Sequence, residues 1–163
     1  MYDLIIKNGL IYDGTGSDPF EGDVAVLNEK IVEVGHINGD SKKVIDAKGK
    51  IVTPGFVDIN THYDGQVTWD PYLRPSTYHG VTTVVMGNCG VGFSPCKPDQ
   101  RNWLIGLMEG VEDIPGTALH EGIDWEWESF PEYLDALEKK PLAIDVGTQI
   151  PHGAVRACLL YTT

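Results

Sequence analysis

Two stretches, IVTPGFVDINTHYDG (Ile51–Gly65) and GVTTVVMGNCGVGFSPC (Gly80–Cys96), decide how the rest of the chain is read. Each reads as an apolar strand whose last residues turn polar and capable of holding a metal. In the first, Val52-Thr53 leads through Pro54-Gly55 into Phe56–His62. Side chains alternate along a strand, so Asp58, Asn60 and His62 are expected on one face and Val57, Ile59 and Thr61 on the other. The second stretch runs Val81–Met86 and then Gly87-Asn88-Cys89-Gly90, where the glycines permit a sharp turn and close approach of the backbone to an ion or substrate. A polar row emerging at the end of an apolar strand is how parallel α/β architectures build their sites. The two ends, one bearing His62 and the other Cys89, are predicted to lie side by side.

Upstream of this pair, Tyr2–Lys50 reads as short strands joined by turns. Leu4–Ile6 and Leu10–Tyr12 flank an Asn8-Gly9 turn signal, and Gly22–Leu27 and Lys30–Gly35 form a hairpin around Asn28-Glu29. Downstream, Gly80 is placed to stop a short helix before the second strand. Lys97–Val111 has helical spacing of Trp103, Leu104, Leu107, Met108 and Val111, a stripe expected to be core, and Pro98 suits its first turn. Glu112–Glu128 reads as an acidic, aromatic loop. Ser129-Phe130-Pro131-Glu132 is a capping box that opens a helix to about Lys139, and Leu142–Gly147 reads as a third strand. The order β-α-β-α-β points to a parallel sheet with right-handed crossovers.

The 163 residues carry a net charge of −12, which argues against nucleic acid or anionic membranes as partners, since both need basic patches. No apolar run approaches the ~18 residues of a membrane span, and the first residues lack a signal-peptide pattern. The expected setting is cytoplasmic. Cys89, Cys96 and Cys158 are odd in number and lack CxxC spacing, so a disulfide framework is not expected; Cys96 and Cys158 read as small buried hydrophobes.

The motifs in order resemble a known family. Pro-Gly-Phe-Val-Asp-x-x-x-His after a β-rich leader is similar to the amidohydrolase superfamily of metal-dependent hydrolases. HYDGQ (His62–Gln66), WDP (Trp69–Pro71), HGVTTVVMGNCGVGFSP (His79–Pro95), EGVEDIPG (Glu109–Gly116), WEWESFPEYLDAL (Trp125–Leu137) and GTQIPHGAVR (Gly147–Arg156) narrow it to the N-acyl-D-amino-acid deacylases, the D-aminoacylases. Only about Cys158–Thr163 carries no such feature. The resemblance implies an α/β fold: a small N-terminal β-sandwich-like module over residues 1–54, part of a composite β-sandwich, and then residues 55–163 as the first three βα units of a TIM (β/α)8 barrel. A complete barrel takes roughly 250 residues, so the segment reads as truncated.

Amide hydrolysis near neutral pH needs a strong nucleophile and a Lewis acid on the carbonyl, and a divalent metal supplies both. From residue types alone, Cys89 and His62 read first as an ordinary buried thiol and a loop histidine, because two isolated ligand types are weak evidence for a metal. In the family pattern the cysteine of MGNCG is a zinc ligand, a role that carries over to Cys89, and the His-x-His of the first strand serves a second, weaker metal position. Here the first of that pair is Asn60, and an amide oxygen is a poorer zinc ligand than imidazole; His62 is then a lone weak ligand or a hydrogen-bond donor to substrate. The remaining ligands and the catalytic aspartate fall beyond Thr163. Asn60, Tyr63, Asp64 and His152 are expected to line the substrate pocket, and Asp58 to be structural at the barrel floor. His36 and His120 read as surface or structural, and His79 as part of the helix end before the second strand. The implied activity is hydrolysis of a small-molecule N-acyl-D-amino acid to a carboxylate and a D-amino acid. A cyclic amidase of the hydantoinase or dihydroorotase type shares the leader and barrel start, but its bridging ligand is a lysine, so Cys89 discriminates against it. The other reading is an inactive truncated fragment.

Overall fold

A computed structural model of the chain describes residues 1–160; Tyr161–Thr163, and with them the end of the featureless C-terminal stretch, lie outside the described residues. The chain divides into two compact units, Met1–Pro54 and Gly55–Thr163.

In the first unit, β1 (Tyr2–Ile11) is the central strand. It pairs antiparallel with β2 (Phe20–Leu27), which pairs in turn with β3 (Lys30–Gly35) through the Asn28-Glu29 hairpin. On its other side β1 runs parallel to β4 (Ser41–Asp46) and to the short β5 (Ile51–Val52). The Asn8-Gly9 turn expected from the sequence is not a turn. The strand continues through it with a register shift between Ile6 and Gly9. Asn8 adopts a positive φ of 60° and makes the kink a fixture: its N–H donates to Asp23 Oδ1 at 2.9 Å and its Nδ2 to Asp46 Oδ1 at 3.0 Å. A bulge leaves a residue unpaired in the ladder, and here two carboxylates from neighbouring strands take up its donors. Those contacts, with lysines nearby, hold the Asp46 carboxyl below its usual range.

In the second unit, β6 (Phe56–Asp58), β7 (Val81–Met86) and β8 (Asp145–Thr148) form a parallel sheet in that order. Helices α1 (Arg101–Glu112), α2 (Gly116–Gly122), α3 (Phe130–Glu138) and α4 (His152–Leu160) accompany it. Val84 and Met86 of β7 are fully buried and join Leu104, Ile105, Met108, Leu119, Trp127, Tyr133 and Ala136 in one core. Trp127 Nε1 donates to the Phe93 carbonyl at 2.8 Å, and the Trp127 and Tyr133 rings lie 4.7 Å apart, so the aromatic loop is locked to α3. Gly80, at φ 81°, caps the 3-10 turn Ser76–His79 before β7, and the capping box at Ser129 is formed: Ser129 Oγ accepts the Glu132 N–H while the Glu132 carboxylate accepts the Ser129 N–H at 2.8 Å.

Several boundaries differ from the sequence reading. The predicted strand over Phe56–His62 stops at Asp58, because Asp58 Oδ1 accepts the Asn60 N–H at 3.2 Å and turns the chain, a local bond that competes with the sheet ladder. Asp58 is therefore the last residue of its strand, at the end from which the loops rise, and not at a barrel floor. Trp103 and Val111, expected in the core, are about half exposed; α1 is narrower in its apolar stripe than its composition suggests. The loop predicted over Glu112–Glu128 contains α2, whose seven residues are too few for periodicity to reveal. The third strand begins at Asp145 rather than Leu142, since Leu142 N–H bonds back to Lys140 O at 2.8 Å and Ala143 N–H to Pro71 O at 2.9 Å.

Candidate active site

The loops leaving β6, β7 and β8 converge. After the turn at Asn60, Thr61 is drawn in: its N–H and its hydroxyl both donate to the Val85 carbonyl, at 3.0 and 2.9 Å. Asn88 then stitches three segments together. Its Nδ2 donates to Val85 O at 2.8 Å and to Thr61 O at 3.4 Å, while its Oδ1 accepts from Gln149 Nε2 at 2.9 Å. Gln149 N–H closes the ring on Met86 O at 2.9 Å. One amide side chain therefore holds the residue before His62, the residue before Cys89 and the loop before His152 in a fixed relation. Sequence reading quoted this asparagine only as part of MGNCG; its role depends on contacts far apart along the chain.

Gly87 makes the fit possible. Its φ is 78°, and a Cβ there would strike the Gln149 carbonyl. Cys89 itself has a left-handed backbone, φ 56°, an uncommon state for a residue with a Cβ that invites a functional explanation. Its thiol is free and exposed. Cys89, Gly90, Val91, Trp103, Leu107, Val111, His152, Gly153 and Arg156 line a cavity of about 440 Å³, so the two α1 residues that failed to join the core line the same cavity as Cys89. His152, the first residue of α4, is exposed on this cavity.

On the other side of the loop, His62 is half-buried. Its Nε2 stands 3.4 Å from Glu112 Oε1, with side chains 19% and 22% exposed, and its Nδ1 is buried without a hydrogen-bond partner among the described residues. Asn60 is exposed at the turn. Tyr63 is half-buried and its hydroxyl is shared with Ser76 Oγ at 2.7 Å, which ties the loop to the 3-10 turn before β7. Asp64, expected to line the pocket, is 1% exposed and lies beneath the loops. The Tyr133 hydroxyl donates to the Asp64 carbonyl at 2.8 Å. Burial drives the Asp64 carboxyl up to about 7, against the opposing hydrogen bond it accepts from the Gly87 N–H and with the Glu112 charge adding to the rise. A Cβ at Gly92 would meet that carboxyl, so Asp64 packs against both sides of the Cys89 loop. Glu112 was missed as an individual residue; an anion closing a helix was the available signal.

Cys96, seven residues on, is buried, and burial pushes its thiol up to about 12. His79 ends the 3-10 turn before β7, and His36 and His120 are exposed. Among the described residues no three or more His, Cys, Asp or Glu side chains gather to hold a metal ion. The donor types on these two loops are the exposed Cys89 thiol and His62 Nδ1, which is buried and without a partner among the described residues. That is part of a zinc donor set in type, since zinc takes thiolate and imidazole, and it fits the metal as a partial site.

His62 follows the end of β6 by four residues and Cys89 follows the end of β7 by three, on the loops after adjacent parallel strands, and the Amidohydrolase family model matches residues 43–160. The chain belongs to that family. It is 37% identical over 156 residues to an N-acyl-D-glutamate deacylase of Alcaligenes xylosoxydans xylosoxydans, covering 94% of this chain and 29% of the relative. A D-aminoacylase structure, studied for its binuclear metal center with one-metal activation and second-metal attenuation, superposes with a TM-score of 0.81 at 31% identity, over 98% of this chain and 32% of the neighbour. An N-acyl-D-glutamate deacylase of Bordetella bronchiseptica, complexed with zinc and a phosphonate mimic of the tetrahedral intermediate, gives 0.77 at 31% identity, over 95% and 30%. The chain thus spans about a third or less of the length of the relatives it matches.

Proposed function

We propose that this segment works within a longer polypeptide as the first part of a metal-dependent deacylase that hydrolyses N-acyl-D-amino acids to a carboxylate and a D-amino acid. The observation that carries the reading is the Cys89 thiol, exposed at a left-handed turn after β7 and fixed beside the His62 turn by Asn88. The likeness to D-aminoacylase and to a zinc-containing N-acyl-D-glutamate deacylase supports it. In this reading β6, β7 and β8 with their helices are the first three units of a (β/α)8 barrel, and Met1–Pro54 is a β-sandwich-like module. The substrate is a small molecule and the setting cytoplasmic; no helix among the described residues is long and apolar enough to cross a membrane.

Cys89 and His62 are the residues that would hold zinc, completed by ligands from the rest of the polypeptide. When bound, the metal supplies a polarised carbonyl and an activated water at neutral pH. The chain's own side chains then position the reactants. His152 faces the cavity beside Cys89 and can donate to a substrate oxygen, with Asn60 exposed at the turn before His62 as a second polar contact. Trp103, Leu107 and Val111 line one side of the same cavity with apolar side chains. Tyr63 and Asp64 hold the His62 loop, one through Ser76 and the other through Gly87.

The test is a full-length polypeptide carrying this segment, assayed on N-acetyl-D-amino acids with zinc content measured in parallel. Cys89→Ala is expected to remove most bound zinc and most activity. Near-stoichiometric zinc in that variant sinks the assignment, and a wild-type protein that hydrolyses no N-acyl-D-amino acid sinks the proposed reaction.

A further inference from the structure

Helix α1 ends against the usual electrostatics of helices. Its last residue is Glu112 and the next is Asp113, with no basic residue in the last turn, although the carbonyl end of a helix carries partial negative charge and disfavours anions. Asp113 also takes a left-handed backbone, φ 55°, the conformation in which many helices end. The turn is nevertheless held. Glu109 Oε1 accepts the Gly116 N–H at 3.1 Å, and a Cβ at Gly116 would press into that carboxylate. Local rules broken and then braced mark a place where the fold serves a function rather than its own stability. The arrangement delivers a carboxylate to His62: Glu112 Oε1 is 3.4 Å from Nε2, and the ring's other nitrogen, Nδ1, is buried with no hydrogen-bond partner among the described residues. A carboxylate facing one ring nitrogen is the kind of partner that orients metal-ligating histidines, and here it meets a ring whose other nitrogen is buried and unpartnered among the described residues.

We propose that Glu112 is the positioning residue for His62, fixing the orientation of its ring. Glu112 does this from another element, α1, so the geometry of the His62 turn depends on how that helix ends. The inference rests on the metal reading above.

The experiment is a double-mutant cycle on zinc affinity in a full-length polypeptide carrying this segment, using H62A, E112A, E112Q and H62A/E112A, with chelator competition for zinc, thermal melting, and kcat and KM for an N-acetyl-D-amino acid. E112A is expected to weaken zinc binding about 10- to 100-fold, the usual cost of losing such a partner, to lower kcat with KM unchanged, and to add nothing further once His62 is alanine. E112Q keeps the shape and an acceptor without the charge; it is expected to lose several-fold and stands in if E112A does not fold. A loss of the same size in the H62A background, or zinc affinity unmoved by E112A and E112Q while H62A weakens it, overturns the role of Glu112 alone. Zinc affinity unmoved by H62A overturns the metal reading of His62, and the inference falls with it.

Discussion

The strands of Met1–Pro54 and those of Gly55–Leu160 find their partners in different ways. In the first unit β2 and β3 turn back on the strand before them, and polar side chains such as Asn8 and Asp23 fix the register. The buried core is small, Ile5, Ala25 and Ile37, with Tyr2 against it, and Ile31, Val32, Val34, Val44 and Ile45 remain exposed. In the second unit every pairing is parallel and every connection long, and the core on the helix side is extensive. Yet Phe56, Val57 and Ile59 are exposed there too, Val57 at 59%. The first unit is poor in burial; the second buries its central strand β7 against the helices and leaves the neighbouring strand β6 largely exposed. Only the second gathers chemistry, because parallel strands bring the loops that follow them to one end.

The largest expected effect breaks the second half of that comparison. The polypeptide Met1–Thr163 produced alone is expected to be inactive on N-acyl-D-amino acids and to aggregate or bind a hydrophobic dye. Open sheet edges recruit other chains, and apolar surface left in water forgoes about 25 cal/mol per Å², a serious fraction of a total stability of ~5–15 kcal/mol. Size-exclusion chromatography with dye fluorescence checks this; a monomeric, cooperatively melting polypeptide that hydrolyses N-acetyl-D-methionine overturns it.

How much of this was legible in the sequence follows the same division. The Asn28-Glu29 hairpin, the Val81–Met86 strand, the Gly80 stop and the Ser129 capping box are set by residues within a few positions of each other, and sequence reading placed them. Asn8-Gly9 carries a turn signal but sits opposite Asp23 and Asp46, and those distant carboxylates convert it to a bulge. The alternation from Asp58 to His62 failed because one short hydrogen-bonded turn ended the strand. For the candidate site, Cys89 and His62 could be singled out from the sequence by residue type, and the structure puts both on loops after strands. Asn88 and Glu112 could not be singled out, since what matters about each is a partner 27 or more residues away.

A smaller effect contrasts the buried side of the second unit with the exposed face of the first. Leu104→Ala is expected to cost about 2–5 kcal/mol, because Leu104 is fully buried in the helix-side core and its loss leaves a cavity. Ile31→Thr, at a side chain 68% exposed, is expected to change stability by no more than about 0.5 kcal/mol. Chemical denaturation of a full-length polypeptide measures both, and equal costs would mean that the exposed face is covered in that protein.

Tyr133→Phe should act more gently. The ring stays in the aromatic core, but the hydroxyl that bonds the Asp64 carbonyl at 2.8 Å is lost. A buried acceptor left without its donor costs about 1–3 kcal/mol. Loosening the His62 loop should also lower zinc affinity slightly, and an unchanged melting temperature would show that the bond does not anchor that loop.

The smallest effect concerns Asn60, where the family pattern has the first histidine of His-x-His. Asn60 is exposed at the turn after β6, and its backbone N–H is committed to Asp58 Oδ1 while its side chain is not used by any described hydrogen bond. A substitution there can therefore keep the turn and change only the donor offered to solvent. An amide oxygen is a weak partner for zinc, and imidazole a good one. The full-length polypeptide is accordingly expected to hold one zinc tightly, and Asn60→His to raise its metal content toward a second equivalent without altering its melting behaviour before metal is added. Metal analysis after dialysis distinguishes the outcomes. Two tightly held ions in the unsubstituted protein would show that Asn60 does not limit the second position. An unchanged content in Asn60→His would show that the turn, which departs from the strand alternation at this residue, aims position 60 away from the ligand that His62 offers.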